Sequence, residues 1–196
     1  MVERLSRKSK QKMLLIDDFL PEGDLKDKLW DESLWVKNSH WRWQNIDDDP
    51  INVFEQFASL VWKQIYSNHI DGITGWEYWT KALKTSDQLG FHQDNNTIDP
   101  NDLKGQPLKF ARFSFSYLAQ KELPEGGYLL LKRENGEIER IQPKPNRLVI
   151  FDSETFHTVS LITKGIRSSL ISIAWDEKPW HYGEDGANLF ENTPYL

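Results

Sequence analysis

The sequence has no cysteine, no long apolar run and no excess of basic charge, and each absence excludes a class of protein. Without cysteine the 196-residue chain can form neither disulfides nor thiolate metal sites. No apolar stretch approaches the roughly 18 residues of a membrane span, and the N-terminus has no apolar segment typical of a signal peptide. We therefore expect a cytoplasmic protein with no membrane partner. The net charge of −6 argues against nucleic acid as a partner.

Aromatic side chains are abundant, with 9 Trp, 10 Phe and 6 Tyr. Rings bring much of the apolar area that offsets chain entropy, so this composition indicates a folded chain. We expect a single domain over 1–196, because no linker-like stretch divides it. Its expected parts are a flexible basic tail (1–12), a strand with bracing helices (13–75), a β core (76–175) and a C-terminal extension (176–196).

The pattern of apolar residues changes from helical to strand-like near Trp76. Before it we predict a strand at 13–16, a helix over 24–36 and a helix over 51–68, capped by one Asp of 47–49. After it we predict eight short strands, at 76–80, 88–92, 108–118, 128–132, 137–141, 148–151, 155–161 and 168–175. Asn135-Gly136 is typical of a hairpin turn. The predicted fold class is mostly β with an α lead-in, a jelly roll braced by N-terminal helices on one sheet.

The histidines are the candidates for metal binding, because a tight transition-metal site without cysteine needs imidazoles and carboxylates. The tripeptide His-x-Asp occurs at 69–71 and 92–94. His69 closes a predicted helix, where an imidazole favours the carbonyl end. His92 ends a predicted strand, and alternation places Asp94 on the same face. A later strand carries His157. Two imidazoles and one carboxylate can form a facial triad that binds Fe(II) and leaves three coordination positions open.

Arg167 begins the last predicted strand, and Ser169 follows it on the same face. A guanidinium inside a barrel can bind a carboxylate through two hydrogen bonds.

These residues, in this order, resemble the Fe(II)/2-oxoglutarate-dependent dioxygenases of the prolyl-4-hydroxylase-like branch. The resemblance covers most of the chain and is strongest from Leu89 to Trp175. Its motifs are Leu15-Ile16-Asp17-Asp18-Phe19-Leu20, His92-x-Asp94, Phe115-Ser116-Tyr117-Leu118, Glu125-Gly126-Gly127, 143–151, His157 and Gly165-Ile166-Arg167.

The resemblance implies a role for eight residues. His92, Asp94 and His157 match the iron ligands, and Arg167 matches the basic residue that binds the distal carboxylate of 2-oxoglutarate. Four further residues are expected around this cosubstrate: Tyr117 and Ser169 as hydroxyl donors, Leu129 as a wall and Tyr78 as a second pocket tyrosine. The segment 76–79 is denser in rings than the family pattern, and the stretch from there to His92 is longer.

The resemblance also implies the reaction and its cofactors. Fe(II), O2 and 2-oxoglutarate are expected, with ascorbate as a candidate reductant. Hydroxylation of an unactivated C–H bond releases succinate and CO2. Asp94 fills the position that a halide needs, which favours hydroxylation over halogenation.

Other interpretations stay open at this point. A non-enzymatic jelly-roll binding or structural protein would use the same residues as polar strand positions, and a cupin-like metalloenzyme would need no Arg167. The substrate is a prolyl or other residue of a peptide, or a small molecule such as a free amino acid. The oligomeric state stays open. The polar stretch 95–107 is a candidate lid.

Overall fold

The computed structural model describes residues 13–36, 41–65, 72–96 and 108–187. Its helices all lie within 24–65, and most of its strands follow them along the chain. The helices are α1 (Asp24–Leu29), α2 (Ser33–Val36), α3 (Val53–Ser59) and a π-helix (Leu60–Ile65). The strands are β1 (Leu14–Ile16), β2 (Arg42–Asn45), β3 (Gly75–Lys84), β4 (Phe113–Leu118), β5 (Glu125–Gly126), β6 (Leu129–Lys132), β7 (Ile138–Ile141), β8 (Leu148–Asp152), β9 (His157–Val159), β10 (Ile162–Lys164) and β11 (Ile166–Trp175).

Two antiparallel sheets form the jelly roll, and a third, two-stranded sheet pairs β5 with β10. The large sheet has the order β1-β8-β4-β11-β3-β2, and the small sheet has the order β7-β6-β9. The segment 88–92 lies beside β9 without forming a regular ladder: Leu89 N–H donates to the Val159 carbonyl at 3.2 Å, and His92 forms an isolated bridge with His157. The predicted mostly-β jelly roll with a helical lead-in is confirmed. The strand predicted at 88–92 is wrong as a regular strand.

The two faces of the large sheet have different neighbours. One face packs on α3 and the π-helix: Phe57 lies 4.3 Å from Tyr117 and 5.6 Å from Phe115, measured between ring centroids. Trp62 of the π-helix contacts Phe115 on the same face. The opposite face looks into the space between the sheets, which we call the lumen. Alternation along each strand therefore decides which side chains enter the lumen.

The helical lead-in differs from its prediction at three points. The cap of α3 is Asn52, whose side-chain oxygen accepts hydrogen bonds from the N–H groups of Phe54 and Glu55, and no Asp of 47–49 has that role. The helix predicted over 24–36 is divided into α1 and α2. The second half of the long predicted helix is a π-helix at 60–65.

The predicted hairpin is present as β6 and β7, joined through Gly136 with a φ of 84°. Three strands had no prediction: β2, β5 and β10. They are four, two and three residues long, and neither an apolar run nor a hairpin turn marks them in the sequence. No helix of the described ranges is long and apolar enough to span a membrane.

Candidate metal and cosubstrate site

Three side chains from two parts of the chain meet between the sheets. His92 and Asp94 lie on the segment after β3, and His157 is the first residue of β9. The backbone joins them, because His92 and His157 exchange both N–H···O hydrogen bonds, at 3.0 and 2.9 Å. One donor atom from each of the three residues lies within 4.8 Å of the other two. Elsewhere in the described ranges the structure has no comparable cluster of His, Asp and Glu.

Both imidazoles are oriented by the backbone. The Nδ1 of His92 lies 2.9 Å from the carbonyl oxygen of Gly90, and the Nδ1 of His157 lies 2.9 Å from that of Thr155. Each Nδ1–H therefore donates to a carbonyl, and each Nε2 lone pair faces Asp94. Burial lowers the pKa of His157, against the opposing charge of Asp94. A neutral imidazole with a free Nε2 is the form that binds a metal.

Asp94 is held by two residues that the sequence analysis missed. The Ser114 hydroxyl donates to Asp94 Oδ2 at 2.5 Å, and it lies 2.7 Å from the Ser153 hydroxyl. The Asp94 N–H also donates to the Ser153 carbonyl at 3.1 Å. Both serines are fully buried. A signal for Ser114 exists in the sequence, since small polar residues alternate with rings over 113–117.

Arg167 is a buried cation that contacts neutral groups. Its Nε donates to the Gly127 carbonyl at 3.1 Å, one terminal nitrogen donates to the Ser169 hydroxyl, and the other lies 3.3 Å from the Ser116 hydroxyl. Burial lowers its pKa to about 10, so it stays charged at neutral pH. No carboxylate of the described residues pairs with it. Because a buried unpaired charge is costly, the site is built for an anionic ligand.

Two of the predicted cosubstrate residues lie beside Arg167 and two do not. Ser169 contacts the guanidinium, and Leu129 lines a small cavity together with Ser116, Val149 and Arg167. Tyr117 and Tyr78 lie on the other face of the large sheet, against the helices. The Tyr117 hydroxyl donates to Asn146 Oδ1 at 2.9 Å, and the Tyr78 hydroxyl donates to Glu55 Oε1 at 2.8 Å. Burial raises the pKa of both hydroxyls, that of Tyr117 to about 12.

The expectation for both tyrosines is therefore wrong, and the physical reason is strand alternation. In β4 the lumen positions are Ser114 and Ser116, so Tyr117 necessarily points outward. In β3 Trp79 takes the lumen-side position and Tyr78 the helix-side position. An alignment with the family motif that is displaced by one residue places the side chain on the opposite face of the strand.

Strand β4 links the two halves of the site. Ser114 contacts Asp94, and Ser116 contacts Arg167. Residues i and i+2 of a strand are about 7 Å apart. The triad and the guanidinium are thus separated by about the length of a short dicarboxylic acid.

The donor set fits Fe(II) with three open positions, because it consists of two imidazoles and one carboxylate. The guanidinium with its neutral partners fits the distal carboxylate of 2-oxoglutarate. A cupin-like site would have no use for a buried Arg167.

The remaining sequence predictions fall in different places. Three of them lie wholly or largely outside the described residues: His69, the tail 1–12 and the candidate lid 95–107. His181 is buried and stacks beside Tyr182, with ring centroids 4.5 Å apart. Gly127, part of the motif Glu125-Gly126-Gly127, supplies the carbonyl that accepts from Arg167 Nε.

Comparison with known proteins agrees with this geometry. The family model described as "2OG-Fe(II) oxygenase superfamily" matches residues 76–175, just over half of the chain. No curated protein matches the sequence.

Solved structures share the fold at low identity. A prolyl-4-hydroxylase from Pseudomonas putida has a TM-score of 0.60 and 15% identity, with 85% of this chain and 93% of that chain covered. A Trichoplax adhaerens prolyl hydroxylase, solved with a peptide fragment of the hypoxia inducible factor oxygen degradation domain, has a TM-score of 0.56 and 17% identity. The match covers 85% of this chain and 84% of that chain. The viral collagen prolyl hydroxylase of Paramecium Bursaria Chlorella virus-1, solved with 2-oxoglutarate, has a TM-score of 0.54 and 17% identity. The match covers 85% of this chain and 96% of that chain.

The match includes every residue of the triad, the buried Arg167 and the four central strands of the large sheet. Fe(II), 2-oxoglutarate and O2 are the cofactor and cosubstrates of this class of enzyme. The chain belongs to the 2OG-Fe(II) oxygenase superfamily.

Proposed function

We propose that the protein is a hydroxylase that acts on a residue of a peptide or protein, with a prolyl residue as the first candidate. The reaction consumes the substrate C–H, 2-oxoglutarate and O2, and yields the alcohol, succinate and CO2. One observation supports this above all others. A His-Asp-His triad lies about two strand residues from a buried Arg167 that contacts no carboxylate of the described residues.

The site residues would have different roles in the reaction. His92, Asp94 and His157 would hold the iron, which supplies the activation of O2. Arg167, with Ser116 and Ser169, would orient the distal carboxylate of 2-oxoglutarate. Leu129 and Val149 give this pocket apolar walls, which exclude water and strengthen the charged hydrogen bonds.

The choice of hydroxylation follows from the triad. Because Asp94 supplies a carboxylate as the third protein ligand, no protein position is left for a halide. Halogenation is therefore the less favoured outcome at this site.

The substrate side of the proposal is supported by the fold relatives and by Trp79. Three structures with this fold are prolyl hydroxylases, one of them solved with a peptide. Trp79 is partly exposed on the lumen side of β3 and stacks on Trp41, with ring centroids 5.1 Å apart. Its indole N–H has no hydrogen-bond partner within the described part of the chain. A partly exposed indole with an unpaired N–H suits a pyrrolidine ring and a peptide carbonyl. A free amino acid is the alternative substrate.

The first test separates an oxygenase from a binding protein. Addition of Fe(II) and 2-oxoglutarate without oxygen should give a weak visible charge-transfer band. His157→Ala should abolish this band, while Phe156→Ala should retain it, because Phe156 points outward and is 45% exposed. Absence of the band in the wild-type protein would contradict the proposal.

The second test identifies the substrate class. Succinate release is measured on a panel of proline-containing peptides and free amino acids, and products are examined for a mass increase of one oxygen atom. Turnover of free amino acids with no turnover of any peptide would contradict the peptide assignment while leaving the hydroxylase assignment intact.

A further inference from the structure

Both oxygens of Asp94 face the space between the imidazoles. Oδ1 lies 4.0 Å from His92 Nε2, and Oδ2 lies 3.7 Å from His157 Nε2. A carboxylate in this position can bind a metal through one oxygen or through both. The difference sets how many coordination positions stay open, because two imidazoles and a carboxylate binding through both oxygens would occupy four of six. Two would remain, although 2-oxoglutarate and O2 together need three.

Among the described residues, only Oδ2 of Asp94 accepts a hydrogen bond from a side-chain hydroxyl. Ser114 donates to Oδ2 at 2.5 Å, and the hydroxyl of Ser153 lies 2.7 Å from that of Ser114. Both hydroxyls are fully buried, and Ser153 also accepts the Asp94 N–H through its carbonyl. The hydroxyl of Ser114 is thus held on two sides and cannot turn to water.

We propose that Ser114, supported by Ser153, restricts Asp94 to a single metal-binding oxygen and so keeps a third position open on the iron. The hydrogen bond occupies Oδ2 and draws it toward β4, which leaves Oδ1 for the metal. Ser114 is a positioning residue, since it acts through Asp94 and does not touch the metal. The proposal rests on the metal-site part of the proposed function and on nothing about the substrate.

The test counts the water molecules on a bound metal. Mn2+ is added to the protein in place of iron, without 2-oxoglutarate, and exchangeable waters are counted by pulsed electron paramagnetic resonance in 17O-enriched water. The wild-type protein should show three waters. Ser114→Ala should show two, because the freed Oδ2 replaces one.

Matched variants separate the hydroxyl from the shape of the side chain. Ser114→Thr keeps a hydroxyl and should show three waters, whereas Ser114→Val has nearly the same shape and should show two. This pair carries the test if Ser114→Ala does not fold. Ser116 lies on the same strand and face as Ser114 but contacts Arg167. Ser116→Ala should therefore show three waters, as the wild type does.

Two results would overturn the proposal. Three waters in both Ser114→Ala and Ser114→Val would show that the hydroxyl does not set the number of metal-binding oxygens. Loss of Mn2+ binding in both, with Ser114→Thr still binding, would show that the hydroxyl is needed for affinity rather than for the choice of oxygen. A wild-type protein that binds no Mn2+ would instead contradict the proposed metal site itself.

Discussion

At the scale of single residues, we propose that cosubstrate selection depends on the guanidinium of Arg167. It is held in the lumen by the Gly127 carbonyl and the hydroxyls of Ser116 and Ser169. A planar fork can bind both oxygens of a carboxylate, whereas an ammonium binds as a point charge. The geometry of the Arg167 side chain would therefore contribute to cosubstrate affinity beyond its charge.

Replacing Arg167 by Lys tests that geometry. We expect the KM for 2-oxoglutarate to rise by about tenfold, which corresponds to roughly 1.4 kcal/mol, with a smaller change in kcat. Steady-state succinate release measures both constants. Arg140→Lys is the matched control, because Arg140 lies on the exposed side of β7 over the Tyr128 ring. An unchanged KM in Arg167→Lys would exclude the guanidinium from cosubstrate binding.

Tyr117 tests the assignment of faces in β4. Its hydroxyl donates to Asn146 and accepts from Trp30 Nε1 at 3.3 Å, on the helix side of the sheet. Tyr117→Phe should lower the free energy of unfolding by about 1 kcal/mol, measured by urea denaturation. The KM for 2-oxoglutarate should stay unchanged. A several-fold rise in that KM would place Tyr117 in the lumen after all.

Site residues were predictable from the sequence to different degrees, and the difference is physical. His92, Asp94 and His157 have side chains whose chemistry is rare, so type and spacing point to them. Ser114 and Ser116 have common side chains, and only the face of β4 gives them a role. The face depends on register, which is fixed by pairing with β8 and β11 and not by the strand's own residues.

Among the elements, β1 is fixed at the edge of the large sheet by an ion pair as well as by its ladder with β8. Arg147, just before β8, donates from Nε to Asp17 Oδ1 at 2.6 Å and from a terminal nitrogen to Oδ2 at 3.0 Å. Lys144 Nζ lies 3.1 Å from the same carboxylate. The hydrogen bond from Arg147 is the main cause that lowers the pKa of Asp17 from 3.8 to about 2.

This ion pair predicts a pH dependence of stability. Folding favours the ionised form of Asp17, so its contribution is complete above pH 4 and is lost as the pH falls toward 2. The side chain is one-third exposed, and solvent screening reduces the contribution to about 1 kcal/mol. Asp17→Asn should show this loss at pH 7 and a shrinking difference from wild type below pH 4, measured by urea denaturation.

Asp18→Asn is the control for that experiment. Asp18 lies next to Asp17 with its side chain 80% exposed, 3.7 Å from Lys144 Nζ, and its positive φ of 51° suits Asn as well as Asp. Its replacement should change the free energy of unfolding by a few tenths of a kcal/mol at most. Equal losses in the free energy of unfolding for both variants would indicate an effect of net charge rather than of the ion pair with Arg147.

The longest strands were predicted reliably from the sequence, whereas the short strands β2, β5 and β10 were not. The strands β3, β8 and β11 have apolar or alternating residues over five or more positions, and each was predicted within its observed bounds. The segment 88–92 has the composition of a strand, yet only His92 pairs with β9 by a bridge. The π-helix at 60–65 has the same apolar spacing as an α-helix, so its periodicity cannot distinguish the two.

On the scale of the whole molecule, we propose that the lead-in, the core and the segment 176–187 form one domain. β1 and β2 extend the large sheet at its two edges, so the lead-in shares hydrogen bonds with the core. The segment 176–187 meets the core at Glu77, a fully buried carboxylate on the lumen side of β3. Trp41, Trp175 and Tyr182 all donate hydrogen bonds to its two oxygens, at 3.1, 3.0 and 2.5 Å.

Glu77 thus joins the lead-in, the last strand and the C-terminal segment through three ring donors. Glu77→Gln replaces one acceptor oxygen by an N–H group, which faces donors and leaves at least one of them without an acceptor. We expect a loss of about 2 kcal/mol in the free energy of unfolding, since a buried polar group without a partner costs about 1–3 kcal/mol. Urea denaturation measures this loss, and Glu184→Gln on the exposed part of the same segment should show almost none. If Glu77→Gln were as stable as wild type, the hydrogen bonds to Glu77 would not be needed to hold the C-terminal segment to the core.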